Sequence, residues 1–151
     1  MSTEIFIRPG RAGTLETLQL IEQLGRKGAP MIPFLLLGIH PSRWDGMIRP
    51  RWQYEMRRSV DGKEAQQTFR SIDQQLFLFR KTGHMAGDCA ECAVVVVAVA
   101  IATGRPYEIL AMRPPDELVF RHVFVEVEGY RIDPTAPTDA DYTGWERLTY
   151  P

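Results

Sequence analysis

Residues 90–102 read AECAVVVVAVAIA, a run in which Glu91 is the only charged side chain. The four consecutive valines favour a strand on propensity. An unbroken apolar run of about 13 residues is nevertheless long for a strand and ordinary for a buried helix. Gly104-Arg105-Pro106 follows as a C-terminal stop, and Asp88 precedes it as a good N-cap. The pattern therefore predicts a central helix that is apolar on every side, which the rest of the chain must cover. Cys89 falls in its first turn. There the helix dipole and free backbone N–H groups stabilise an anion and can supply part of an oxyanion hole.

A thiol is mostly protonated near neutral pH, so a catalytic cysteine needs a neighbouring imidazole, a helix N-terminus, or both. Downstream, residues 119–127 (VFRHVFVEV) alternate and predict a strand. The alternation puts Phe120, His122, Phe124 and Glu126 on one face, with Val119, Arg121, Val123, Val125 and Val127 on the other. The turn Glu128-Gly129 leads into a second short strand, Tyr130-Arg131-Ile132-Asp133, which Pro134 ends. Pairing of the two strands brings His122 and Asp133 side by side. One ring nitrogen can then face a thiol while the other donates to the carboxylate, which fixes the tautomer. Cys89, His122 and Asp133 are thus the candidate nucleophile, base and orienting residue.

These residues also carry a family resemblance. Gly87-Asp88-Cys89-Ala90-Glu91, His122-Val123-Phe124-Val125-Glu126 and Asp133-Pro134-Thr135 resemble the G-x-C-x-[DE], H-[AV]-[WFY]-V-E and D-P-T motifs of the transglutaminase-like superfamily of papain-like cysteine enzymes. The resemblance spans residues 87–137. More narrowly, the chain is similar to short transglutaminase-like proteins encoded in tailed-phage and prophage genomes, which often begin with a glycine and threonine followed by a helix, as at Gly10 to Leu18. The resemblance implies an α+β fold with a papain-like core, the nucleophile helix packed on an antiparallel sheet. It also implies Cys89 as nucleophile, His122 as base and Asp133 as orienting residue. The sequence departs from the family at Ala90, where an acidic residue is common and only Glu91 is retained, and by the extra Cys92. Thr82, Gly83 and His84 precede the cysteine without a recognisable Gln or Trp as oxyanion donor.

The function expected from these features is cysteine-dependent acyl transfer through a thioester. It covers peptide or amide hydrolysis, deamidation and transglutamination of a peptide or protein amide, with no metal or organic cofactor. A catalytically silent papain-like module for binding or assembly keeps the same scaffold, and phage-particle partners follow from the resemblance alone. The Cys89-x-x-Cys92 spacing raises a thiol-disulfide oxidoreductase, which would want a strand directly before the motif, where 81–87 reads as a loop. A structural zinc site needs a second Cys or His pair, and the chain has two cysteines in all. Cys92, one turn inside the helix, reads as packing. His40 and His84 read as solvated or capping loop residues, Glu91 as a first-turn residue suited to the dipole, and Glu126 as a surface strand residue.

With 151 residues, 44% of them hydrophobic, the chain suits one core and a single domain. It divides into an N-terminal helical part of about 1–80, a motif-bearing core of about 81–137 and a polar, aromatic surface tail of 138–151. A net charge of −1 gives no bulk attraction to nucleic acid or anionic membranes. Arg49, Arg51, Arg57 and Arg58 read as a solvated, salt-bridged face around a half-buried strand of Trp52, Tyr54 and Met56. The first residues lack a leader pattern, and Met31–Ile39 is far below the roughly 20 residues of a membrane span, so a cytoplasmic location is expected. Residues 14–27 predict an amphipathic helix capped by Thr14, residues 38–49 turns, residues 50–60 an extended segment, and residues 63–81 a further helix. Oligomeric state is not encoded in any feature of the chain.

Overall fold

A computed structural model describes residues 3–7, 10–33, 38–56, 58–61 and 64–150, with 3–7, 58–61 and 64–67 described by their backbone alone. The architecture is α+β. Thr3–Ile7 (β1) is followed by the helix Gly10–Gly28 (α1), the short helix Trp44–Ile48 (α2), and the strands Trp52–Tyr54 (β2), Arg58–Asp61 (β3) and Glu64–Phe69 (β4). Next come the helix Ile72–Thr82 (α3), the strand Met85–Gly87 (β5) and the apolar helix Cys89–Ala102 (α4). The chain ends with Tyr107–Arg113 (β6), His122–Val127 (β7), Tyr130–Ile132 (β8) and Glu146–Tyr150 (β9). Single 3-10 turns at 29–31, 41–43 and 49–51 make up most of the turn-rich segments.

Among the described residues the strands form three sheets: antiparallel β1-β4-β3, a parallel pair β2-β5, and antiparallel β8-β7-β6-β9. α4 lies at the centre. Its residues from Ala90 to Ala100 are all buried, packed by α1 on one side and by β7 and β6 on another. The four-valine stretch is helical because the tertiary environment buries every face, which outweighs β-propensity. Leu18 and Ile21 of α1, Val96 and Val97 of α4, and Ile109, Val125 and Val127 of the large sheet form one continuous core.

Small residues let α1 approach α4 closely. A Cβ on Gly25 would lie 2.5 Å from Val97 Cγ1 and 3.2 Å from the Ala98 nitrogen. The β7-β8 hairpin turns on Glu128 and Gly129, with φ of 51° and 82°. Two positive φ values are what a two-residue turn needs to match strand twist.

Several boundaries differ from the sequence reading. α1 begins at Gly10, so Thr14 is not its cap; its hydroxyl donates to the Gly10 carbonyl at 3.0 Å. Residues 63–81 are not one helix: β4 occupies 64–69, and α3 starts after Ser71, where a reciprocal Ser71–Gln74 capping box fixes the start. The N-terminal part accordingly carries the four strands β1 to β4 beside its helices. The tail is not merely draped on the surface, since β9 pairs with β6, with Ala111 opposite Leu148, and Leu148 is buried. The predicted strand at 119–127 begins only at His122. The apolar stretch Met31–Ile39 falls partly outside the described residues, as does Arg57. No described helix is long and apolar enough to cross a membrane.

The α1–α4 contact leads to a first prediction. Gly25→Ala should lower stability by about 1–3 kcal/mol, since overpacking exceeds the helix-propensity gain of at most about 1 kcal/mol. Urea unfolding of the two proteins measures the difference.

Candidate active site

The start of α4 is fastened from below before any chemistry is considered. Asp88, itself buried, caps the helix with Oδ1, which accepts from the Ala90 and Glu91 backbone N–H groups at 3.1 Å each. Those two donors are consumed by the cap. The Cys89 N–H is the first-turn group that the cap leaves over, which narrows the oxyanion donors expected from the helix start.

Gly87 is required by space as well as by conformation. Its φ is +150°, and a Cβ there would sit 2.7–2.8 Å from Glu91 side-chain atoms. Its carbonyl accepts from Trp52 Nε1 at 3.0 Å and from the Glu55 N–H at 2.9 Å. One residue earlier, the buried Gln75 amide acts as a substitute strand: Nε2 donates to the Ala86 carbonyl at 2.7 Å, and Oε1 accepts the Ala86 N–H at 3.1 Å. Arg70 adds a bond to the same carbonyl at 3.0 Å and pairs with Glu55 at 3.0 Å. Glu91 stands in the first turn of α4, as read, and is buried there. It is 1% exposed and accepts the Arg70 N–H at 2.9 Å, so its role is to hold the segment before β5's neighbour α3.

The approach to the cysteine, read from the sequence as a loop, thus contains the strand β5, in register with β2 through Trp52–Met85, Gln53–Ala86 and Tyr54–Gly87. Tyr54 stands near Cys89 on this side. Its hydroxyl pKa is raised by burial and then by the charges of Cys89 and Asp88.

His122 and Asp133 come together as expected, with Nε2 and Oδ1 2.6 Å apart. That contact engages Nε2, and Cys89 stands near enough to the ring to be among the groups that raise its pKa. Burial works against charge on the ring. It is outweighed by the bonds to Asp133 and Cys89 and by their negative charge, and the His122 pKa rises to about 9. The ring is therefore set to hold its proton as an imidazolium.

Asp133 is in turn fixed by residues far away in sequence. Its backbone N–H donates to Asp45 Oδ1 at 2.7 Å. Arg49 bonds Asp45 Oδ2 at 2.8 Å and the Asp133 carbonyl at 2.9 Å, and also reaches the Ala136 carbonyl. Arg49 thus leaves the solvated face to which the sequence reading assigned it. Of that basic cluster, Arg51 bonds the Met47 carbonyl at 2.8 Å, Arg58 is described only by its backbone, and the neighbouring Tyr54 and Met56 are exposed rather than half-buried. No local pattern marked Asp45 and Arg49 as partners of the site, because their separation from Asp133 along the chain exceeds any helix or hairpin period.

Cys92 is 2% exposed. Burial pushes its thiol well up, as do the charges of Cys89, Asp133 and Asp45, against Arg49. Both cysteines are free. A strand does precede the C-x-x-C, but its second thiol is walled in and held protonated. His40 caps the turn at 41–43, accepting from the Ser42 N–H at 3.3 Å, and His84 is exposed. Among the described residues no group of three or more His, Cys, Asp and Glu side chains is placed to hold a metal ion.

The raised His122 pKa has a defined sign. Proton binding to the folded state is tighter than to the unfolded chain, whose histidine titrates near 6.5. The resulting stability is fully present below about 6.5 and lost as the pH rises through about 9. The melting-temperature gap between the native protein and His122→Gln should therefore be widest at about pH 6 and close by about pH 10, as thermal scans across that range would read. Comparison with protein-family models, with curated proteins and with solved structures found no match.

Proposed function

We propose that the protein is a cysteine-dependent acyl-transfer enzyme with a papain-like core of the transglutaminase-like kind, working on a peptide or protein amide. One observation carries this reading. His122 is hydrogen-bonded through Nε2 to the buried Asp133 at 2.6 Å, and Cys89, at the head of a buried helix, is near enough to the ring to help raise its pKa. A thiol with its proton held by an oriented imidazole is the arrangement that nucleophilic acyl transfer needs.

In the mechanism, the Cys89 thiolate adds to the amide carbonyl carbon, and negative charge moves to the carbonyl oxygen. The Cys89 N–H lies at the positive end of α4 to receive that charge. The C–N bond then breaks as the His122 imidazolium gives its proton to the departing amine, leaving a thioester on Cys89 and a neutral ring. Water or a second amine, deprotonated by His122, attacks the thioester and regenerates the thiolate and the imidazolium. Asp133 keeps the ring turned with Nδ1 toward sulfur through both halves. Hydrolysis and transamidation share every residue of this path and differ in which nucleophile enters second.

The buried, protonated Cys92 supports one working thiol over a reversible dithiol. The test is alkylation by iodoacetamide, resolved by peptide mass spectrometry, alongside hydrolysis of a panel of peptide amides. Cys89 should label in preference to Cys92. His122→Ala should slow both labelling and turnover, the latter by about 10²–10⁴-fold, while Cys92→Ser retains both. Labelling of Cys89 that is slow and indifferent to His122 would refute the enzyme reading in favour of a binding scaffold.

A second expectation concerns pH. Amide turnover should fall on the alkaline side with a midpoint near 9, where His122 loses the proton that the leaving amine requires. A pH profile of kcat/KM under steady-state conditions checks it.

A further inference from the structure

Asp133 Oδ1 is engaged by His122, and its second oxygen, Oδ2, accepts a hydrogen bond from the Tyr142 hydroxyl at 2.9 Å. Tyr142 belongs to the segment between β8 and β9, which no motif singled out. Its ring is also stacked on the catalytic imidazole, with centroids 5.6 Å apart and an interplanar angle of 23°. The stack continues onto Phe124 at 5.5 Å and 14°, and Trp145 closes it edge-on at 5.1 Å. Leu110, Met112 and Phe124 form the small apolar cluster beneath.

Resting on the acyl-transfer reading, we propose that Tyr142 is a positioning residue of the site. Its hydroxyl fixes the carboxylate plane of Asp133, and its ring covers the imidazole, so the His122–Asp133 bond keeps one geometry while the ring gains and loses its proton. Among the described residues, these charged and titratable groups face the unit. His122 faces Asp133 and Cys89. Tyr142 faces Asp133, with Arg131 5.5 Å over its ring. Asp45 and Arg49 bind the Asp133 backbone from α2 and the turn after it, and Cys92 of α4 senses Asp133 from below. Burial, the Asp133 charge and the hydrogen bond to it together push the Tyr142 hydroxyl well up. It therefore stays a donor throughout the range in which His122 titrates.

The two contributions separate by substitution. Tyr142→Phe removes the donor and keeps the stack; Tyr142→Ala removes both. The His122 titration is read by NMR of the ring carbons, assigned by its absence in His122→Gln, and the Cys89 alkylation rate and melting temperature are measured on the same proteins. Tyr142→Phe should retain its fold, move the His122 titration by on the order of 0.5–1 pH unit, as expected when one hydrogen bond to the partner carboxylate is lost, and slow alkylation several-fold. Tyr142→Ala should show a larger loss of rate. A folded Tyr142→Phe with His122 titration and alkylation both unchanged would overturn the assignment. So would a melting-temperature loss in both variants with the titration unmoved, because that is what packing alone produces. Failure of the underlying reading looks different: in the native protein itself, alkylation of Cys89 would be indifferent to His122→Ala.

Discussion

A helix without a polar face must be covered on every side, and covering α4 organises this protein. Burial from Ala90 to Ala100 takes α1 on one flank and the β7-β6 sheet on another. Surface this apolar is worth about 25 cal/mol per Å² removed from water, so no arrangement that leaves a face of α4 exposed competes. The consequence for chemistry is positional. A helix that is apolar along its length keeps its polar groups at its ends, and its N-terminus is where the unpaired N–H groups and the positive end of the dipole lie. Cys89 therefore stands at the end of α4 where a charge is best tolerated.

Rigidity at that end comes from backbone groups held by side chains. Ala86 is held by Gln75 and Arg70, Gly87 by Trp52, and Asp133 by Asp45 and Arg49. Each of these bonds joins segments distant in sequence, and most are buried or half-buried, where an unmade partner would cost about 1–3 kcal/mol. Cys89, His122 and Asp133 are carried on α4, on β7 and just after β8, which are joined through this lattice as well as through the core.

The central helix, its Asp88 cap, the β7-β8 hairpin and the His122–Asp133 pairing were all legible in the sequence, because each is written in local terms: an apolar run, a capping residue, alternation and a two-residue turn. What was missed is non-local. Gln75 standing in for a strand looks like any polar residue of an amphipathic helix, and the Asp45–Arg49 pair looks like an ordinary i,i+4 ion pair until its carbonyl acceptors are seen. β4 was hidden because its first four residues, Glu64-Ala65-Gln66-Gln67, carry none of the branched or aromatic residues of a typical strand, and pairing with β1 and β3 makes it one. Glu91 was legible as a first-turn residue, but not its burial, because the Arg70 N–H that donates to it lies 21 residues earlier, ahead of α3.

The position of Tyr142 and Trp145 after the hairpin orders events during synthesis. Cys89, His122 and Asp133 have all left the ribosome while the stretch that covers the imidazole and the strand β9 that closes the sheet beside β6 are still to come. The nascent chain thus presents Cys89, His122 and Asp133 before it presents the Tyr142 and Trp145 rings that pack over them and the strand that completes their sheet.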